Sequence, residues 1–291
     1  MSVVKEKFGV TPDGREVSVY TIDNGTISAS VIDFGAILVN IIYDGVDVAL
    51  GYKDLDTYLV NDGNLGAVIA PNANRIANAC FAIDGQVYEL EKNEGENNLH
   101  SSILYGAHKK LWQAEEVLED AITLSLSLKD GECGFPGNRL LKVTYRIEED
   151  ALKIRYAFIS DKKTVFNPTN HSYFNLNGHA SGDILQHTLW VDAAAYTPTD
   201  EGLVPTGEIV PVDGTPMDFR RKKTLGRDID AAYEALVYAK GYDHNWVIRD
   251  EPVSVEMKPG MYSSMMATAR SSSRISESLL LLLMAMTVPF S

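Results

Sequence analysis

Apolar and polar residues alternate along most of the chain in short runs, and turn residues separate the runs. Residues 26–33 alternate in this way, and residues 36–43 follow as a second run. A period of two is typical of a half-buried β-strand. Further runs that predict strands are residues 46–50, 121–128, 140–147, 152–159 and 187–191. The pattern therefore predicts a protein built mainly of strands.

Two Asp-Gly pairs, Asp44-Gly45 and Asp84-Gly85, each stand between two apolar runs. A type I′ turn needs a positive φ at both central positions, and Asp-Gly meets that need at low cost. The sequence therefore predicts two tight hairpins here, and residues 148–150 predict a further turn between strands.

Helix signals are few. Residues 228–240 predict one helix, which Gly241 would end. Strands and helices do not alternate, so a Rossmann-type or α/β-barrel enzyme is disfavoured. The spacing of strands and turns favours a single large all-β sandwich or barrel.

Composition and charge exclude several classes of partner. The 291 residues include 26 Lys and Arg against 40 Asp and Glu, which gives 26 − 40 = −14. Such a charge repels phosphate backbones and anionic membranes, so we expect no nucleic-acid or membrane partner. The only cysteines, Cys80 and Cys133, provide neither a disulfide framework nor a multi-cysteine zinc site.

Targeting signals are also lacking. The N-terminus has no apolar segment of signal-peptide length, and the apolar run at residues 279–285 is far shorter than the ~20 residues of a membrane helix. We expect a cytoplasmic protein. The sequence makes no prediction of the oligomeric state.

Three polar segments centred on histidines are the candidate sites. His171 lies among amides, hydroxyls and aromatic rings in residues 167–178, and His100 lies in the polar residues 94–102. Asp243 precedes His244 at the start of an apolar run. Amides and rings suit a polyhydroxylated ligand, but turn-rich loops and a turn-capping Asp explain the same residues.

A single arginine, Arg75, stands among amides, where its planar guanidinium could bind neighbouring hydroxyls or form a surface charge pair. The basic run at residues 220–223 is typical of a solvated face. No histidine pair has metal-ligand spacing and no nucleophile motif occurs, so we expect neither a metal nor nucleophilic catalysis.

Six ordered segments together resemble the aldose 1-epimerases, also called galactose mutarotases. They are residues 72–77, 97–100, 130–138, 167–178, 205–209 and 241–244. The similarity spans residues 5–268, and the run Thr-Asn-His-Ser-Tyr-Phe-Asn-Leu within it is highly specific.

The resemblance implies a fold and a reaction. The family fold is a large antiparallel β-sandwich, the galactose mutarotase-like supersandwich, with the sugar in a cleft. Its members interconvert the α and β anomers of free hexoses such as galactose and glucose, without a cofactor or metal. The implied partner is therefore a small-molecule sugar.

The resemblance also implies roles for residues. His171 corresponds to the general acid that protonates the ring oxygen, and His100 to a second histidine near the ring. The implied substrate-binding residues are Asn74, Arg75, Ser172, Tyr173 and Asp243. Ring opening needs a base at the anomeric hydroxyl and an acid at the ring oxygen. An unperturbed histidine, with a pKa of about 6.5, suits the acid.

The general base of the family is a glutamate near the C-terminus, which follows the motifs Glu-Val-Tyr-Thr and Gln-Phe-Tyr-x-Gly-Asn. Neither motif occurs here, so no residue is assigned as general base. All 22 glycines lie at or before Gly260, whereas six of the eight methionines lie in residues 257–286. We therefore predict an epimerase-like domain at residues 1–268 and an aberrant low-complexity tail at residues 269–291.

A shift of reading frame near residues 266–270 would explain the tail, and a natural lineage-specific tail is the alternative. Losing the last strands of a sandwich would expose an edge. Two outcomes are open for the leucines at residues 279–283, which either cover that edge or promote aggregation.

The leading hypothesis is an aldose 1-epimerase whose activity is impaired by the missing glutamate. The alternative is a non-catalytic carbohydrate-binding protein of the same fold. A glycoside hydrolase would need two carboxylates that flank the glycosidic bond. Only Asp243 lies in a suitable sequence setting, so a glycoside hydrolase is disfavoured.

Overall fold

The structure, a computed structural model, describes residues 1–248. Beyond them it describes the backbone of three strands, Val253–Lys258, Met265–Ala269 and Leu280–Met284. The chain divides into two compact units, Met1–Phe174 and Asn175–Ser291.

The first unit is almost entirely strand. Its strands are β1 (Ser2–Val10), β2 (Glu16–Asp23), β3 (Ile27–Ile32), β4 (Ile37–Tyr43), β5 (Val46–Asp47), β6 (Val68–Ile69), β7 (Arg75–Ile76), β8 (Cys80–Ile83), β9 (Gln86–Glu89), β10 (Asn98–Leu99), β11 (Gln113–Val117), β12 (Ala121–Leu128), β13 (Arg139–Glu148), β14 (Ala151–Ser160) and β15 (Thr169–Asn170). Its helices are α1 (Leu55–Val60) and three 3₁₀ turns, Ala77–Ala79, Ala107–Lys109 and Glu132–Gly134.

Two antiparallel sheets form the body of the first unit. Strands β1 to β5 pair in chain order, as do β11 to β14, and β2 and β3 lie against β12, β13 and β14. Strand β13 shows why the sheets pack, because Val143, Tyr145 and Ile147 on one face are fully buried. Burial of an aliphatic side chain such as Val143 or Ile147 stabilises the fold by roughly 1.5–3 kcal/mol relative to leaving it exposed. The pairs β6–β15, β7–β10 and β8–β9 are separate two-stranded ladders.

Both predicted hairpin turns are confirmed. Asp44 and Gly45 have φ of 48° and 77°, and Asp84 and Gly85 have φ of 52° and 82°, as a type I′ turn requires. The predicted strands also form, although the run at residues 46–50 is a strand only at Val46–Asp47.

The second unit has two further antiparallel sheets. Its elements are β16 (Thr188–Val191), β17 (Ala193–Thr197), β18 (Val210–Pro211), β19 (Lys223–Thr224), a 3₁₀ turn (Leu225–Arg227), α2 (Glu234–Ala239), β20 (Asp243–Ile248), β21 (Val253–Lys258), β22 (Met265–Ala269) and β23 (Leu280–Met284). The sheet orders are β19-β16-β21-β22 and β18-β17-β20-β23. Phe219, Tyr242 and Trp246 lie in the core of this unit.

The leucine run forms an edge strand, because β23 pairs with β20 from Asp243 to Val247. Residues 270–279 and 285–291 lie outside the described residues. The predicted boundary between residues 1–268 and 269–291, and the shift of reading frame, therefore stay predictions.

The helix predicted at residues 228–240 is shorter than its pattern suggests, because α2 occupies only Glu234–Ala239. Asp228 begins a turn in which its carbonyl accepts the N–H of Ala231, and its carboxylate pairs with Lys223. Tyr233 is extended, with φ of −112°. Helix α1 was not predicted from the sequence; Asp54 caps it by accepting the N–H of Thr57.

The all-β class and the antiparallel sheets are confirmed. In the part of the chain that the structure describes, no helix is long and apolar enough to cross a membrane. The cytoplasmic location stays a prediction.

Candidate active site

Residues 71–75, here named the central segment, lie beside His100 in the first unit. Asn167 pairs with this segment in a parallel bridge, donating its N–H to the carbonyl of Pro71 (2.7 Å) and accepting the N–H of Ala73 (2.8 Å). On its other side, the hydroxyl of Ser101 bonds to the backbone of Asn72. The segment therefore links the loop of His100 to the chain that leads to His171.

His100 is held by the central segment through both its backbone and its ring. Its backbone has a positive φ of 56°, and its side chain is buried. The ring Nδ1 accepts the N–H of Asn74 at 3.0 Å, and the N–H of His100 donates to the carbonyl of Asn74 at 3.2 Å. Because Nδ1 is an acceptor, the proton of the neutral ring lies on Nε2.

His171 follows β15, whose partner is β6. Its N–H donates to the carbonyl of Ala67 (2.9 Å), and its carbonyl accepts the N–H of Gly66 (3.0 Å). The backbone is thus fixed on both sides by main-chain bonds. The ring Nδ1 is buried and has no hydrogen-bond partner among the described residues.

The structure brings His100, His171 and Tyr173 together. The ring centroids of His100 and His171 lie 5.2 Å apart with perpendicular planes. Tyr173 lies 5.2 Å from His171 on centroids, tilted by 54°. His171 therefore contacts both other rings, and all three are buried.

Arg75 is oriented by the carboxylate of Glu94, a residue to which the sequence pattern assigns no role. Its Nε and Nη2 donate to the two carboxylate oxygens of Glu94 at 2.6 and 2.8 Å. Arg75 thus forms a charge pair, as one of the two sequence interpretations expected. The pair is not fully at the surface, because the Arg75 side chain is only 13% exposed. The side-chain oxygen of Asn74 accepts the N–H of Arg75 at 2.7 Å, which leaves the Asn74 amide nitrogen as a donor.

Ser172 is tied to the residue before His171. Its N–H and its hydroxyl both donate to the side-chain oxygen of Asn170, at 3.2 and 2.5 Å. The amide nitrogen of Asn170 donates to the carbonyl of Gly66 and to the hydroxyl of Tyr145. Asn170 thus anchors the His171 segment to the core.

The sequence model of the aldose 1-epimerase family matches residues 18–272. The chain belongs to the aldose 1-epimerase family. Its relatives include the galactose mutarotase of Sus scrofa, with 36% identity over 86% of this chain and 72% of that protein. The aldose 1-epimerase of Haemophilus influenzae is 36% identical over 81% of this chain and 70% of its own length. These enzymes are isomerases.

Solved structures agree on the fold. The galactose 1-epimerase of Lactobacillus acidophilus NCFM superposes with a TM-score of 0.80 at 25% identity, covering 89% of this chain and 77% of that one. An aldose epimerase homologue from C. elegans gives a TM-score of 0.75 at 25% identity, covering 83% and 75%. The galactose mutarotase fold implied by the sequence motifs is therefore confirmed.

The histidines of this family member differ electrostatically from the unperturbed groups assumed from the sequence. Burial lowers the pKa of His171 to about 4. Burial also lowers the pKa of His100 well below its ordinary value, and charges on His171, His108 and Arg75 act in the same direction. Both rings are therefore neutral near pH 7, because desolvation disfavours the charged form.

Asp243 is the first residue of β20 and belongs to the second unit. The other predicted site residues all belong to the first unit. The N–H of Asp243 donates to Nδ1 of His244 at 3.2 Å. Burial lowers the pKa of His244 to about 4. Among the described residues, no group of three or more His, Cys, Asp or Glu side chains could hold a metal ion.

Proposed function

We propose that the chain interconverts the α and β anomers of free hexoses, with galactose and glucose as substrates. The supporting observation is the buried pair of adjoining imidazoles, His100 and His171, 5.2 Å apart beside Asn74 and Arg75. Relatives named galactose mutarotase and aldose 1-epimerase point to the same reaction.

In this proposal the two histidines have different tasks. His100 carries its proton on Nε2, because the N–H of Asn74 occupies Nδ1. It therefore donates a hydrogen bond to the sugar and stabilises negative charge on the ring oxygen as the C1–O5 bond breaks. His171, whose Nδ1 has no partner among the described residues, is the ring that gains and loses a proton.

The proton balance is as follows. A base removes the proton of the anomeric hydroxyl, the C1–O5 bond breaks, and protonated His171 gives its proton to the ring oxygen. The open aldehyde rotates about C1–C2, and closure returns each proton to its donor. Because its pKa is about 4, protonated His171 is a minor species in the free protein near pH 7. A carboxylate base near the sugar would raise that pKa and favour the acid.

The remaining sequence-derived residues are proposed to orient the sugar. Asn74 offers its amide nitrogen, and Arg75, oriented by Glu94, offers its remaining N–H groups to neighbouring hydroxyls. Tyr173 offers an apolar ring face beside His171. Ser172 and Asp243 keep their proposed roles in hydroxyl binding.

The missing family glutamate leaves the base unassigned, and the segment in which it would lie is outside the described side chains. A carbohydrate-binding protein without catalysis is the second candidate. It is favoured by the burial of His100 and His171, since no carboxylate among the described residues is a cause that raises either pKa.

Polarimetry of freshly dissolved α-D-galactose and α-D-glucose tests the proposal. We expect the full chain to accelerate the approach to anomeric equilibrium, and His171→Gln to lower that acceleration by about 10²- to 10⁴-fold. Isothermal titration with the equilibrated sugars is run in parallel. Sugar binding without acceleration would establish the binding protein instead, and the absence of both would refute both candidates.

A further inference from the structure

The chain contains two Asn-Gly pairs, Asn24-Gly25 and Asn177-Gly178. An asparagine that precedes glycine can cyclise, because glycine has no Cβ to obstruct the approach of its amide nitrogen to the asparagine side chain. The second pair ends the polar segment around His171 and has no role in the proposed function. The structure places the two pairs in very different surroundings.

The side-chain amide of Asn24 is held at both its oxygen and its nitrogen. The oxygen accepts the N–H groups of Thr26 and Ile27, at 3.0 and 2.9 Å. The nitrogen donates to the carbonyl of Glu149 at 2.5 Å. Cyclisation would turn this amide towards the nitrogen of Gly25, so these bonds would have to break or distort first.

The side chain of Asn177, in contrast, is exposed and has no hydrogen-bond partner in the described part of the chain. The backbone N–H of Asn177 donates to the side-chain oxygen of Asn175 at 3.1 Å. This bond leaves the Asn177 amide group itself unrestrained. The amide can therefore rotate towards the nitrogen of Gly178 without losing a contact.

The two glycine nitrogens that would attack also differ. The N–H of Gly25 donates to the carboxylate of Asp23 at 2.6 Å, whereas the N–H of Gly178 donates to the uncharged carbonyl of Asn175 at 3.0 Å. The nitrogen attacks after it has lost its proton, and a neighbouring carboxylate disfavours the resulting negative charge. Both differences therefore favour reaction at Asn177.

We propose that Asn177 is a site of spontaneous deamidation and that the fold protects Asn24 from the same reaction. Solvent hydroxide takes the proton of the Gly178 nitrogen, which attacks Cγ of Asn177. The bond from Cγ to Nδ2 breaks, and the departing nitrogen takes a proton from water and leaves as ammonia. Water then opens the cyclic imide at either carbonyl and yields aspartate or isoaspartate. The formal charge becomes −14 − 1 = −15.

The turn around Asn177 is built by other side chains. The amide nitrogen of Asn175 donates to the carbonyl of Gly182 at 2.9 Å, and Nε2 of His187 accepts the N–H of Leu176 at 2.9 Å. Because the Asn177 side chain makes none of these bonds, Asn177→Gln should leave the turn intact. Glutamine would have to close a larger ring, so this variant removes the reaction without removing the amide.

Peptide mapping by mass spectrometry tests the proposal on the full chain, incubated at mildly alkaline pH. Exchange of the amide NH₂ for OH gives each reacted peptide a characteristic gain in mass. We expect the Asn177 peptide to convert at least about tenfold faster than the Asn24 peptide, because each bond that cyclisation must break slows it by up to about that factor. Equal rates in the folded chain, or faster conversion at Asn24, would overturn the proposal.

The same incubation in urea separates the fold from the local sequence. Neither amide is held in the unfolded chain, so we expect the two peptides to convert at similar rates there. A preference for Asn177 of the same size in urea would show that the fold protects nothing. Ion exchange of the folded protein gives a second readout. The fraction with one more negative charge should grow in the unsubstituted chain, and equal growth in Asn177→Gln would contradict the assignment to Asn177.

Discussion

In the His100 loop, residues 98–102, the ring Nδ1 is hydrogen-bonded, whereas in the His171 segment, residues 169–173, the ring Nδ1 has no hydrogen-bond partner among the described residues and the backbone is hydrogen-bonded on both sides. His100 has a left-handed backbone and a ring whose Nδ1 accepts an N–H. His171 has main-chain bonds on both sides and a buried Nδ1 with no partner among the described residues.

The difference separates two tasks that acid–base catalysis requires. A ring with one nitrogen occupied by a fixed donor is a permanent hydrogen-bond donor at the other nitrogen. A ring without such a bond can gain and lose a proton without breaking a contact. In the proposed mechanism, His100 therefore keeps its proton throughout, and His171 is the histidine that gains and loses one.

The largest change in kcat is expected when His171, the proposed general acid, is replaced. His171→Gln should lower kcat by about 10²- to 10⁴-fold, the usual contribution of a general acid, while sugar binding is retained. His100→Gln should lose less, because an amide can accept from Asn74 and donate where Nε2–H does. Polarimetry measures both, with the exposed His179→Gln as control. Equal losses for the two histidines would remove the distinction between the regions.

The second prediction concerns the free energy of unfolding as a function of pH. Folded His171 has a pKa of about 4, and an unfolded histidine has a pKa of about 6.5. Between these values the unfolded chain binds more protons, so stability should fall as pH drops from about 6.5 towards 4, by up to about 1.4 kcal/mol per pH unit for each such histidine.

Urea unfolding at a series of pH values measures this slope. The buried neutral His100 and His108 should contribute in the same direction, since burial lowers the pKa of both. His171→Gln should make the slope shallower by one proton. A stability that rises on acidification over this range would contradict the assignment of neutral rings.

Much of this organisation could be predicted from the sequence, and the rest depends on three-dimensional packing. Alternation identified β12, β13 and β14, and Asp-Gly identified two turns, because these signals are local. The family motifs pointed to His100 and His171. The pair of Arg75 with Glu94 crosses two loops, and no spacing rule reveals it. The lowered pKa values follow from burial, which a histidine in a polar motif does not reveal.

The third prediction tests how the His171 segment is anchored. Tyr145 is fully buried, donates its hydroxyl to the carbonyl of Ala36 (2.7 Å) and accepts from Asn170 (3.2 Å). Tyr145→Phe removes the hydroxyl that the carbonyl of Ala36 accepts from, and it leaves the Asn170 amide nitrogen with its bond to Gly66 alone, so it should lower the free energy of unfolding by about 1–3 kcal/mol. Tyr156→Phe is the control, because that buried hydroxyl has no partner among the described residues and its loss should cost little. Denaturant titration compares them, and equal losses would argue against the anchor.

The smallest expected effect lies beside the His100 loop, at Glu94. Glu94→Gln removes the charged fork that orients Arg75, so the guanidinium loses its fixed plane but keeps its charge. Since Arg75 is proposed to bind hydroxyls and not to move the proton, KM should rise about three- to tenfold while kcat changes by less than about twofold. Glu96→Gln is the matched control, because Glu96 is exposed and pairs only with Lys92 among the described residues. A fall in kcat without a change in KM would indicate that Glu94 takes part in proton transfer. The His100 region would then do more than donate a fixed hydrogen bond.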